Sequence, residues 1–170
     1  MRPRHSLLAA VLGLSVASLA FAQSTYTTVM TGGSEVPPVV TAATGTATVV
    51  LNAAQTQLSI TVAFQNLIGT YSNSHIHGPA TPGQNAGVRW GFTGAPAGWV
   101  FSNGSHDGTL TNFLVTTGIT ATDVANLDNG LFYVNIHSST SPGGEIRGQL
   151  GLAPVSTAKT SWKRVKELYR

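Results

Sequence analysis

The sequence predicts an all-β fold, a Greek-key-like antiparallel β-sandwich or barrel with one short helix near residues 121–128. Three observations carry this expectation. From Ser24 to Leu150 the chain is rich in Thr, Val, Ile and Gly and poor in charge, a composition that suits pleated, half-buried surface. Turn residues punctuate that stretch every eight to twelve positions, the spacing of short strands in a sandwich or barrel. Leu58, Ile60, Val62 and Phe64 alternate with Ser59, Thr61 and Ala63, which turns one strand face to a core.

Ahead of these strands, Arg2 and Arg4 precede an uncharged run from Leu7 to Phe21 that ends in Ala20-Phe21-Ala22. A positive start, a short apolar run and a small-x-small end make a secretory signal, with cleavage expected after Ala22. The first strand pair is Gly45 to Asn52 and Gln57 to Gln65, joined by Ala53-Ala54-Gln55-Thr56. Further strands are expected at Ser74 to His77, Gly87 to Phe92, Gly108 to Val115, Leu131 to His137 and Glu145 to Leu150. Between them, Thr120 with Asp123 three residues on reads as a capping box, Val124 and Leu127 follow at helical spacing, and Gly130 stops the helix. From Ser156 the composition shifts: Trp162, Val165, Leu168 and Tyr169 share a helical stripe with Lys163, Lys166 and Arg170 outside it. The expected organisation is a signal at 1–22, a β domain at 23–152, and a linker with a basic amphipathic tail, a candidate C-terminal helix, at 153–170.

The formal net charge of +3 is unevenly spread. Between Gln23 and Val155 the cations are Arg89 and Arg147, against Glu35, Asp107, Asp123, Asp128 and Glu145, while the tail carries the basic excess. A mildly acidic body offers no basic face for nucleic acid. The chain has no cysteine, so disulfides are excluded and any metal must be held by His, Asp or Glu. No further segment is apolar enough to cross a membrane once the signal is removed. No nucleophile elbow, phosphate loop or paired catalytic carboxylates is present.

The residues with chemistry to offer are histidines. His75 and His77 flank Ile76 on an expected strand. Side chains two apart on a strand share a face, so the pair can clamp one metal ion at about 2.0–2.1 Å from each nitrogen. In Leu131 to His137, alternation sends Phe132, Val134 and Ile136 to the core, and Tyr133, Asn135 and His137 to the opposite face. If the two strands are neighbours, His75, His77 and His137 form a solvent-accessible three-histidine site suited to Zn²⁺ or Cu²⁺. Matching faces across the last hairpin opposes His137 to Glu145, Asn135 to Arg147 and Tyr133 to Gln149. Glu145 would then orient His137 or join the metal, with Asn135 and Arg147 as supporting neighbours. The bland reading stands beside this one: strand histidines that only hydrogen-bond, and a charged pair worth well under about 1 kcal/mol. Trp90, Phe92, Trp99 and Phe101 group around a Gly/Pro loop and read as core packing or loop pinning.

With those residues laid out, the chain resembles the CHRD domain family, first described in chordin. The resemblance rests on Gly33-Ser34-Glu35-Val36-Pro37-Pro38-Val39, Ala43-Thr44-Gly45, His75-Ile76-His77-Gly78-Pro79-Ala80, Leu131 to His137, and Gly143 to Gln149. It implies an extracellular or cell-envelope, all-β protein, here of a bacterial-type single-domain secreted form. The family pattern of H-x-H and a late N-x-H falls on His75, His77, Asn135 and His137. Growth-factor binding is not carried over, because the cysteine-rich modules that accompany the domain in chordin are missing. A looser likeness is to copper-zinc superoxide dismutase, a Greek-key barrel with an H-x-H strand, from which this chain departs in its histidine count and its lack of cysteine. The expectation is an exported binding module with a surface Zn or Cu site and an unknown protein or envelope partner. The alternatives are a structural or adhesive envelope domain without metal, and a superoxide-dismutase-like redox enzyme.

Overall fold

The structure, a computed structural model, describes residues 22–92 and 98–154. The expected signal, the tail and most of the Gly/Pro loop before Trp99 lie outside these residues.

Ten strands and one helix follow in chain order: β1 (Ser24–Thr31), β2 (Thr44–Leu51), β3 (Leu58–Gln65), β4 (Tyr71–His77), β5 (Val88–Gly91), β6 (Val100–Ser102), β7 (Asp107–Val115), α1 (Ala121–Asp128), β8 (Tyr133–Ser138), β9 (Ile146–Gln149) and β10 (Gly151–Leu152). The expected strands are all present. The sequence reading had not singled out β1, β6 or β10. The strands join one antiparallel sheet in the order β5-β4-β8-β9-β1-β2-β3-β7-β6, with β10 beside β1.

The sheet curls into a half-barrel. Tyr71 on β4 and Phe64 on β3 sit far apart in strand order, yet their rings stack at 5.7 Å. Tyr71 also meets Trp99 at 5.0 Å and Phe101, on the far edge strand, at 4.9 Å. Rings from the two flanks therefore close the curl where no backbone ladder joins them, and Phe92 and Trp99 are buried as core. Between the flanks lie the alternating residues of each strand: Tyr26, Met30, Val49, Ile60, Val62, Ile76, Leu110, Val134 and Ile136 are all fully buried. Each such burial contributes about 1.5–3 kcal/mol against the chain entropy lost on folding.

The helix forms where local chemistry places it. Thr120 accepts from the Asp123 N–H, and the Asp123 carboxylate accepts from the Thr120 N–H in return. Asp123 also takes a two-pronged ion pair from Arg89 on β5, at 2.7 Å on each prong. That guanidinium holds its carboxyl below the usual range, at about 2. Val124 and Leu127 face the core, and Tyr26 on β1 donates to Asp128 at 2.6 Å.

The fold positions the histidines through β8, which lies between β4 and β9. Two of the three expected pairs are present, Tyr133 with Gln149 and Asn135 with Arg147; the ladder ends at Ile136 and Ile146, short of His137 and Glu145. On the other side His75 opposes Asn135 and His77 opposes Tyr133.

Candidate metal centre

All six residues of β8 are buried, which corrects one expectation. The face carrying Tyr133, Asn135 and His137 is covered, so the site is not the open surface cluster expected; His77 and His137 are buried and His75 is partly exposed. Two loops cover it. The 80–87 loop is tied down by Arg147, which donates to Gln84 O at 2.8 Å and to Asn85 Oδ1 at 3.1 Å. Ala86 N–H donates to the Tyr133 hydroxyl at 3.1 Å. The 33–38 loop joins through Asn85, whose amide donates to Val36 O at 2.8 Å. Beneath these covers the rings stack across three strands: His77 lies parallel to Tyr133 at 5.0 Å, and the Arg147 guanidinium lies 3.4 Å from the Tyr133 ring centre.

The three histidines come together as the sequence implied. His75, His77 and His137 each offer a ring nitrogen within 4.8 Å of the others. His77 Nδ1 is 3.0 Å from Ala86 O, and His137 Nδ1 is 2.8 Å from Pro142 O. A carbonyl only accepts, so both Nδ1 atoms carry the proton and both Nε2 atoms keep a lone pair. His77 Nε2 has no hydrogen-bond partner among the described residues. His137 Nε2 lies 3.0 Å from His75 Nδ1, which donates to it. The donor set is therefore His77 Nε2, His137 Nε2 and His75 Nδ1. Nitrogens at about 2.0–2.1 Å from one tetrahedral ion stand roughly 3.3–3.4 Å apart, so the rings must draw inward, by up to about 1.5 Å for the widest pair, to complete the fit.

Burial keeps this set neutral. Desolvation, reinforced by the neighbouring His137 and His77, pushes His75 down to about 4. Desolvation also lowers His77, against the raising effect of the Ala86 carbonyl and Asn135. It lowers His137 against the Pro142 carbonyl. Neutral imidazole is the ligand form, so no proton has to be expelled at neutral pH.

Glu145 does not stand where the sequence placed it. It is fully buried, and its carboxylate accepts from Thr41 Oγ1, from Ile68 N–H and from Ser138 Oγ. The ladder ends at Ile136 and Ile146. Beyond it, in the turn, Glu145 donates its N–H to Ile136 O while its side chain anchors the loops after β3 and before β2. Pro142 O performs the orienting role assigned to Glu145. His106 is held apart by Leu67 O at 2.6 Å.

The sequence reading passed over Glu35. Its side chain is 6% exposed and its Oε1 is unpartnered among the described residues. Desolvation pushes its carboxyl up to about 7, opposed by Arg147 and Asn135. A Cβ on Gly144 would lie 2.5 Å from Glu35 Oε1 and 2.7 Å from Asn135 Nδ2, so Glu35 and Asn135 meet at this glycine. The available signal was an acidic residue inside the Gly33-Ser34-Glu35-Val36-Pro37-Pro38 block.

Fold and site together define an all-β domain with three neutral imidazoles on the covered second face of its sheet. The chain belongs to the CHRD domain family, whose model matches residues 26–150. No curated protein matches the chain significantly, and no solved structure does. CHRD domains are typically extracellular, and among the described residues no helix is long and apolar enough to cross a membrane.

Proposed function

We propose that this chain is an exported CHRD binding module in which His75, His77 and His137 hold one divalent metal ion, Zn²⁺ or Cu²⁺. The supporting observation is the anchoring of two imidazoles by backbone carbonyls, which leaves their Nε2 lone pairs beside His75 Nδ1. Carbonyl-anchored rings are the usual outer support of metal-ligating histidine. Three ligands leave a fourth position for a further donor. His75 would give up its Nδ1 proton to its own Nε2, an exchange of tautomer without change of charge.

Elemental analysis of the exported chain, before and after chelation, tests this reading. About one Zn or Cu per chain is expected. Outer-shell partners alone are worth about 10–100-fold in affinity, so His137→Ala should cost roughly a hundredfold or more in calorimetric titration. A second reading is favoured by the His75–His137 contact of 3.0 Å, which satisfies both nitrogens without metal. On that reading the histidines are internal hydrogen-bonding groups of a structural envelope domain. No metal at isolation and no uptake on titration would establish it over the first.

A further inference from the structure

Asn135 stands at the centre of the covered face. On β4 it faces His75, on β9 it faces Arg147, and along its own strand Tyr133 and His137 flank it on the same face. It is 3% exposed, and its Oδ1 has no hydrogen-bond partner among the described residues. A buried acceptor left unpaired costs about 1–3 kcal/mol, so its position calls for a donor. The amide has a definite orientation. Nδ2 lies beside Gly144, where Glu35 Oε1 also lies. Asn135 lies between Glu35, whose carboxyl pKa it lowers, and His77, whose imidazole pKa it raises, and a carboxylate favours the NH₂ end of an amide while a ring N–H favours its oxygen. That arrangement leaves Oδ1 on the His77 side of the amide.

We infer that Asn135 Oδ1 receives a hydrogen bond from a proton-bearing ligand, water, at the fourth position of the metal, and that Glu35 positions Asn135 to do so. This rests on the metal reading above. The consequence is selectivity among small ligands. Water brings a proton to Oδ1. An anion without a proton, such as azide, presents one electron-rich atom to another. Asn135 and Glu35 are positioning residues here, and the metal ligands remain the three histidines.

The probe is the Cu²⁺-loaded full chain titrated with azide, followed by the azide-to-copper charge-transfer band, with copper affinity measured separately. Asn135→Leu keeps the branched shape, at a larger volume, and removes the acceptor. It should take up azide about tenfold more tightly than the unmodified chain, a difference of about 1.4 kcal/mol, with one copper retained per chain. Asn135→Asp keeps an acceptor at the same place and should still reject azide. Glu35→Gln can donate where Glu35 accepts, so it frees the amide to turn and should raise azide affinity by a smaller factor. If Asn135→Leu does not fold, judged by near-ultraviolet circular dichroism, the Glu35→Gln comparison decides. Equal azide affinity in the unmodified chain and the variants overturns the inference while leaving the metal site intact. A hundredfold loss of copper in Asn135→Leu also overturns it, making Asn135 a ligand. Failure of the unmodified chain to bind copper removes the metal reading itself, and this inference with it.

Discussion

The two faces of β8 are equally buried and differently built. Val134 and Ile136, with Phe132 just before the strand, pack on one side into a core of apolar side chains, in which the buried hydroxyls of Ser74 and Ser138 are hydrogen-bonded. Tyr133, Asn135 and His137 lie on the other, among His77, Arg147 and Glu35. The apolar face explains itself, because removing it from water stabilises the fold. The polar face does not. It holds a buried guanidinium with no carboxylate in ion-pair range among the described residues, and three acceptor atoms without partners, Glu35 Oε1, His77 Nε2 and Asn135 Oδ1. Buried polar atoms are nearly always paired in native structures. A cluster of exceptions in one place is a cost that a bound ligand would offset.

Substitutions on each side separate the two kinds of burial. Ile136→Ala should lose the most stability, about 3–4 kcal/mol in denaturant unfolding, with metal uptake unchanged in the folded fraction. A matching loss of metal would show that the faces are not independent.

Next in size is the pH response of Glu35. Its pKa rises from 4.5 to about 7 on folding, so the folded state binds the proton more tightly. Its contribution is fully present below pH 4.5 and is lost as pH rises through about 7, at most about 3 kcal/mol. The histidines act oppositely. Their pKa values fall below 6.5 on folding, so their contribution is present above 6.5, and that of His75 is lost as pH falls through about 4. The difference between the unmodified chain and Glu35→Gln isolates the carboxyl. The unmodified chain should gain stability relative to the variant as pH drops from 7 to 4.5. A parallel pair of pH profiles would place Glu35 in water instead.

Gly144→Ala attacks the polar face alone. Its φ of +125° disfavours a side chain, and the new Cβ would meet Glu35 Oε1 at 2.5 Å. A cost of about 2 kcal/mol is expected, together with a weakened histidine site, since Pro142 anchors His137 in the same turn. The smallest effect, about 1 kcal/mol, belongs to Thr120→Ala at the helix cap. It lies outside both faces and should leave metal uptake unchanged, which makes it the reference for the others.

Local chemistry was the legible part of this molecule. The capping box at Thr120 and Asp123 marks α1 because both partners lie within one turn of chain. The alternation in Leu58 to Phe64 marks β3 because one face meets one core. The register of Asn135 with Arg147 followed from the same parity. What period-two reasoning could not supply is what lies over the second face. The covers come from residues 33–38 and 80–87, remote in sequence from β8, so a strand read as half-exposed is buried on both sides. Glu35 was passed over for that reason, about a hundred residues from the asparagine it meets. Glu145 was misplaced because parity was carried one residue beyond the end of the ladder, where the turn redirects the side chain to Thr41 and Ile68.

The strand order has a consequence for how the chain is assembled. β1 is hydrogen-bonded to β2 on one side and to β9 and β10 on the other. During synthesis from the N-terminus the first hairpins can form early, but β1 keeps an open edge until residues near 147–152 are available. Pairings between distant parts of a chain form slowly, and open edges invite aggregation while they wait. The centre of the sheet is therefore the part completed last, when the strands nearest the C-terminal end of the domain reach β1.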